Sequence, residues 1–332
     1  MQQTHPDSYD IISVGDSTMD MFLGLNTVGS RVCVKDSDRC VLQLSYADKI
    51  EADFQEFATG GNSANLAIGS ARLGLSVGFY TVLGDDEIGD ILAHTIMREG
   101  VSDEYVLRNK GGKTNFHVVL NHEAERTIII YHNKRAYRLP KFKKAKWAYY
   151  SSMGEGFQSI QPGLVSFVKE HGVKLGFNPG TIQLKAGYKV LEPVIRVTEV
   201  LIVNKEEAHR LLGMKHDGVD WKALLGHLHN LGPKQVVITD GPNGAYAYDG
   251  NKHWYMPVFD VPVIERTGAG DSFSTGVIAA LASNHSMEEA LSWGTFNSAS
   301  VIQEIGPQKG LLTKSQMQKF LKNHPDIVAK AL

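Results

Sequence analysis

From Asp10 onward, short apolar runs alternate with longer stretches whose apolar residues recur at helical spacing. An unbroken apolar run has no face to show to water, so each such strand needs a cover on both sides, and the intervening helices supply it. Strands are expected at Ile11 to Gly15, Val77 to Val82, Trp147 to Ser151, Lys174 to Phe177, Glu199 to Val203 and Gln235 to Thr239. Helices are expected between them at Asn62 to Leu73, Glu87 to Glu99, Pro162 to His171 and Glu206 to Leu212. After Gly268 the chain reads as helical throughout, near Ala269 to Ala282, Met287 to Glu304 and Lys314 to Asn323. The fold class is therefore α/β, a doubly wound and mainly parallel sheet.

Two stretches break the rhythm. Met21 to Thr59 and Thr114 to Asn133 alternate apolar and polar residues, as in Val41 to Tyr46, Phe116 to Asn121 and Thr127 to Tyr131, and carry no helix between the alternating segments. They are read as one small antiparallel β-sheet made by two excursions from the main domain, placed to act as a lid. The division is then 1–20, 60–112 and 134–332 for the main domain, and 21–59 with 113–133 for the lid.

Composition narrows the partners. A net charge of −2 over 332 residues gives no global field to recruit nucleic acid or an anionic membrane, so a small molecule is the expected ligand. The N-terminus lacks a basic segment followed by an apolar one, and no apolar run approaches a membrane span, so a cytoplasmic location is expected. Cys33 and Cys40 are too few for a disulfide framework or a structural zinc site and are read as free thiols. Lys134 to Lys146 is a run of seven cations without an acidic residue, read as a solvated segment, with contact to an anionic substrate or partner as the alternative.

Two nucleotide motifs fail on spacing. Gly112-Lys113-Thr114 ends like a P-loop, but the required earlier glycine position is Leu107. Gly268 and Gly270 begin a dinucleotide fingerprint whose third glycine position is Phe273, too bulky for the helix packing that motif needs.

The segment Arg266 to Gly276, RTGAGDSFSTG, is more telling. Gly268, Ala269 and Gly270 let backbone amides approach an anion at a helix start, and Asp271 follows on the first turn. A carboxylate there is either a helix cap or a general base for a hydroxyl that attacks phosphate. Other segments bear on the choice. Asp20 ends the polar segment Gly15 to Asp20 after the first strand, where open α/β sheets bind ligands, and it suits a pair of hydroxyls. Thr59 to Asn65 places Asn62 and Asn65 one helical turn apart behind Gly60-Gly61. Asn204 and Glu207 are either a capped helix start or ligands of a hydrated Mg²⁺. Thr239, Gly241 and Gly244 form a glycine turn that suits a nucleotide.

Taken in order, these segments resemble the ribokinase-like (PfkB) carbohydrate kinases from about Asp10 to about Gly310. The resemblance implies that Gly268, Ala269 and Gly270 form the anion hole and Asp271 is the catalytic base. It implies sugar contacts from Asp20, Gly61, Asn62 and Asn65, with Glu155 either a further sugar ligand or a surface turn. It implies Mg²⁺ and phosphate organisation by Asn204 and Glu207, ATP contacts around Thr239, Gly241 and Gly244 with Asn297 near the adenine, and a lid that closes on the sugar and joins a homodimer. Glu265-Arg266 stands where many members have Asp-Thr beside a monovalent cation, which leaves K⁺ activation open. Asn62 stands where ribokinases usually have Lys, which tilts the acceptor away from ribose. The expected activity is ATP-dependent phosphorylation of a primary hydroxyl on a small carbohydrate, ketohexose or pentose-like. The alternatives are a nucleoside kinase, with Phe22, Phe54, Phe57, Phe116 and Tyr131 as a base slot or as lid core, and a non-catalytic binding protein.

Overall fold

The computed structural model describes residues 5–25, 30–36, 39–122, 125–214 and 220–332. Along the chain come β1 (Ser8–Val14), β2 (Thr18–Gly24), β3 (Ser30–Asp36), β4 (Arg39–Leu44), β5 (Gln55–Gly60), α1 (Asn62–Arg72), β6 (Val77–Gly84), α2 (Glu87–Arg98), β7 (Val106–Asn109), β8 (Asn115–His122), β9 (Glu125–Tyr131) and β10 (Lys144–Tyr150). Then follow α3 (Gln161–His171), β11 (Lys174–Phe177), α4 (Thr181–Ala186), α5 (Tyr188–Ile195), β12 (Val200–Asn204), α6 (Lys205–Leu212), α7 (Trp221–His229) and β13 (Gln235–Thr239). The chain closes with β14 (Ala245–Tyr248), β15 (His253–Met256), α8 (Ala269–Ala282), α9 (Met287–Val301), α10 (Lys314–Asn323) and β16 (Lys330–Ala331). The side chains of Cys33 and Cys40, read as free thiols, lie outside the described residues.

The large sheet runs β16-β15-β14-β13-β12-β11-β10-β1-β6-β7. It is parallel from β7 to β13 and antiparallel through the β14 to β16 extension. β16 corrects the expectation of an all-helical C-terminal end: Lys330 and Ala331 pair with Tyr255 and Trp254.

Strand pleating sends neighbouring residues to opposite covers. Ile11, Tyr149, Ile202 and Val237 join the core under α1, α8, α9 and α10, while Ile12, Tyr150, Val203 and Ile238 join the core under α3, α5, α6 and α7. Full burial of a side chain such as Phe177 contributes about 2–3 kcal/mol of hydrophobic stabilisation. This two-sided burial accounts for the apolar runs within the strands.

The small sheet runs β5-β2-β8-β9. Its outer pairs, β2/β5 and β8/β9, are antiparallel, while the central pair β2/β8 is parallel because its strands come from different excursions. Only Gly15, Asp16 and Ser17 separate the last residue of β1 from the first of β2. Among the described residues, no helix is long and apolar enough to cross a membrane.

Candidate active site

The parallel strands deliver their carboxyl ends to one edge of the sheet, and α8 opens there. Gly268 is the N-cap, at φ +82, and a side chain on it would meet Pro307 Cα at 2.6 Å, so the position needs glycine on both counts. The Ala269 amide turns back to the Arg266 carbonyl at 3.3 Å, and the Ser272 amide bonds the Gly268 carbonyl at 2.8 Å. Between them, the amides of Gly270 and Asp271 are among the donors a helix start cannot satisfy internally. A methyl on Gly270 would meet nothing within 4 Å, so the turn faces open space. A helix start with free amides, open space and a positive dipole end is an anion site.

Asp271 caps nothing, since α8 has no side-chain cap bond. Its Oδ2 accepts a 2.8 Å bond from Asn65 Nδ2, and Asn65 Oδ1 accepts from Gln308 Nε2, also at 2.8 Å. The Asn65 amide is thereby held in one orientation. Burial pushes the Asp271 carboxyl up to about 6; the Asn65 bond opposes this, the Asp20 charge adds to it, and the Arg126 charge opposes it. A carboxylate poised in this range takes a proton more readily than an ordinary aspartate.

Asp20, on β2, is 6% exposed, and its Oδ1 lies 3.2 Å from His117 Nδ1. Gly61, at φ +103, brings the start of α1 against Ser17, where a side chain would lie 3.0 Å from Ser17 Cα. Asn62 follows as the first helical residue and donates to Asn178 Oδ1 at 3.3 Å. Asp20, Asn65 and Asp271 are thus linked by contact or charge around one space. Asn62 borders it with part of its amide spent on Asn178. Glu155 is an exposed turn residue.

On the other side of the α8 turn is a mainly apolar cavity of about 250 Å³, lined among others by Thr239, Gly241, Gly244, Phe259, Arg266 and Gly270. Thr239, Gly241 and Gly244 therefore line a cavity beside the turn. Asn297 does not line it. The side chain is fully buried, with Nδ2 on the Ser272 carbonyl at 2.7 Å and Oδ1 taking the Leu312 amide at 3.0 Å, so it ties α8 to α9 and to the segment before α10.

The family model that matches this chain, pfkB family carbohydrate kinase, spans residues 28–314. The chain belongs to that family. It is 24% identical to a ribokinase of Haemophilus influenzae over 81% of this chain and 89% of the relative. It is 29% identical to a probable fructokinase-4 of Arabidopsis thaliana over 80% and 88%. The fold matches that of an Arabidopsis thaliana ribokinase solved with ribose and ATP, with a TM-score of 0.77, 22% identity and coverage of 94% of this chain and 98% of that one. The protein is a phosphotransferase of the PfkB class, acting on a sugar or a nucleoside.

In this kinase the Asn204/Glu207 pair forms a reciprocal helix cap: Asn204 Oδ1 accepts the Glu207 amide at 2.8 Å and Glu207 Oε2 accepts the Asn204 amide at 2.9 Å. The cap leaves Glu207 Oε1 over. Burial raises the Glu207 carboxyl above its usual range, and the charge of Asp271 adds to the shift although the Asn204 amide opposes it. Among the described residues, no three acidic, His or Cys side chains could hold a metal by themselves.

Sequence reasoning missed the residues next to Asp20. His117 Nε2 and His132 Nε2 are 3.2 Å apart with stacked rings, and Asp16 Oδ2 accepts from Tyr137 Oη at 2.7 Å and the Gly154 amide at 2.9 Å. Asp16 stands in the same polar segment as Asp20, and Arg135 stands in the basic run, where both were visible by position.

Proposed function

We propose that this kinase transfers the γ-phosphoryl group of ATP to a primary hydroxyl of a small carbohydrate, with Asp271 as general base and the Gly268 to Gly270 turn as anion hole. The observation that carries the reading is the Asp271 carboxylate, oriented by Asn65, raised to about 6 and set beside free helix-start amides. Asp20 and Asn65 hold acceptor hydroxyls, Asp271 accepts the proton of the attacking hydroxyl, and the amides of the turn stabilise charge on the phosphoryl oxygens.

The donor nucleotide fits the cavity at Thr239, Gly241 and Gly244. Two partly buried carboxylates, Glu207 and Asp271, with the charge of Asp271 acting on Glu207, suit a cation shared with phosphates, and Mg²⁺ typically takes one or two carboxylates and keeps its waters. Glu207, next to Asn204, would hold it; when bound it neutralises phosphate charge. Glu265 is 2% exposed, with Oε1 bonded by the Thr267 amide and hydroxyl and Oε2 buried without a partner among the described residues, an acceptor that suits a monovalent cation.

A sugar is favoured over a nucleoside because Phe22 and Phe116, two of the candidate aromatics for a base slot, serve packing. Phe22 is fully buried, Phe116 packs on the Met19, Leu83 and Leu92 cluster, and Phe57 and Tyr131 are exposed. The lid also supports a homodimer. β9 is the end strand of its sheet and exposed along its whole length, including Ile128, Ile129, Ile130 and Tyr131, and an uncovered apolar edge of this kind calls for a partner strand.

The test is a coupled ADP-release screen over pentoses, ketohexoses, sugar acids, phosphosugars and nucleosides, with and without K⁺. Turnover with a carbohydrate supports the reading; turnover only with nucleosides selects the alternative, and no turnover with any acceptor leaves a binding protein.

A further inference from the structure

The basic run Lys134 to Lys146 contains one buried cation, Arg135, which is 8% exposed. Its Nη2 donates to the Lys113 carbonyl at 3.3 Å and to Asn115 Oδ1 at 2.8 Å, which fixes the guanidinium at the base of the lid. Its Nε and Nη1 are buried and unpartnered among the described residues. Among the described residues, no carboxylate is in ion-pair contact with it.

The neighbouring side chains show the same deficit. Asp16 Oδ1 and His132 Nδ1 are also buried without a hydrogen-bond partner among the described residues. A methyl on Gly154 would lie 2.9 Å from Tyr137 Oη, 3.5 Å from Asp16 Oδ2 and 3.6 Å from His132 Nδ1, so Tyr137, Asp16 and His132 border one small volume. The charges of Arg135 and His132 act on Asp16, and His132 reaches Asp20 through His117. Buried polar atoms are nearly always paired, and several unpaired ones at one place mark where a ligand supplies the partners.

We propose that Arg135, flanked by Asp16 and His132, is an anion subsite within the acceptor pocket, and that the acceptor is an acidic sugar. Its carboxylate or phosphate oxygens take the free N–H groups of Arg135, and a neighbouring hydroxyl donates to Asp16. A neutral hydroxyl would leave the desolvated guanidinium without a counter-charge in contact, whereas an anion supplies both charge and acceptors. Burial raises the Asp16 carboxyl above the usual range, the charge of Arg135 and the Tyr137 bond notwithstanding. The inference rests on the sugar-kinase reading.

The experiment compares matched acceptors with the wild-type enzyme: a neutral sugar, the corresponding sugar acid and the corresponding phosphate ester, followed by ADP release at fixed ATP. The acid or the ester should show a kcat/KM at least about tenfold above the neutral sugar, and the better of the two names the anion. Arg135→Gln should raise KM for that acceptor about 10- to 100-fold, the scale of a lost charged hydrogen bond, with the KM for ATP unchanged. Arg135→Lys should recover part of the loss. Equal use of neutral and anionic acceptors by the wild-type enzyme overturns the subsite and leaves the kinase reading standing. Equal losses on both acceptors in Arg135→Gln also overturn it, since Arg135 would then only brace the lid. Absence of transfer to any carbohydrate, with ATP still bound, overturns the kinase reading and the subsite with it.

Discussion

Asn65 donates its side-chain amide to the carboxylate of Asp271 across 2.8 Å, joining α1 to the first turn of α8. A bond between residues 206 positions apart sets the direction of the carboxylate and tempers the basicity that burial gives it.

Replacing Asp271 with Asn removes the base and keeps the shape. Turnover should fall by about two to four orders of magnitude while nucleotide affinity, read by calorimetry, stays within about twofold. The same variant should be more stable above pH 6. The folded carboxyl titrates near 6 against an ordinary value of 3.8, so ionising it in the fold is a cost that is fully present above pH 6 and disappears as pH falls toward 3.8. A melting temperature above that of the wild type at pH 7.5, converging on it near pH 4, is the expected result.

The acid limb of kcat/KM should fall below about pH 6, where Asp271 takes a proton. Asn65→Ala removes a bond that favours the ionised form and should move the limb to higher pH. Asp20→Asn removes a like charge and should move it lower. Opposite shifts in pH-rate profiles would assign the limb to Asp271; identical profiles in both variants would remove it.

Gly268 and Gly270 look alike in sequence and should fail differently. Gly268→Ala meets Pro307 at positive φ and should lower stability by at least about 1–2 kcal/mol in denaturant unfolding. Gly270→Ala has open space around it, so the fold should be kept while its methyl intrudes on the phosphoryl position and lowers kcat.

Glu207→Gln preserves the cap on the Asn204 amide, because Gln serves equally at that position. What changes is charge. The Mg²⁺ concentration for half-maximal rate should rise several-fold with acceptor KM little changed; an unaltered Mg²⁺ requirement would detach Glu207 from the metal.

Ile130→Lys places a charge on the exposed edge strand of the lid. If β9 pairs with a second copy, light scattering should show a dimer for the wild type and a monomer for the variant at the same micromolar concentration.

Elements set by local periodicity were legible, and β11 and β13 fall on the expected residues. The hairpin β14/β15 was not, because Ala245 to Tyr248 is short and partly exposed, and β16 is only two residues held by pairing with β15. The Gly268 to Asp271 turn could be read because its residues are contiguous. Asp16 meets His117, His132 and Arg135 only once β2 lies beside β8, and no spacing encodes that. Arg135 also lies in a segment without regular structure, so no periodicity marks it as the inward-facing cation of its run.

The three residues joining β1 to β2 place Asp16 beside the large sheet and Asp20 on the small one. A molecule that engages both spans the joint between them like a strap, and any rotation of the small sheet must stretch or release it. If both aspartates bind the acceptor, as proposed, a ligand that reaches only one of them occupies the site without bracing the two sheets against each other. Such a ligand should leave the transferred group exposed to water, and its signature would be ADP formed in excess of phosphorylated product.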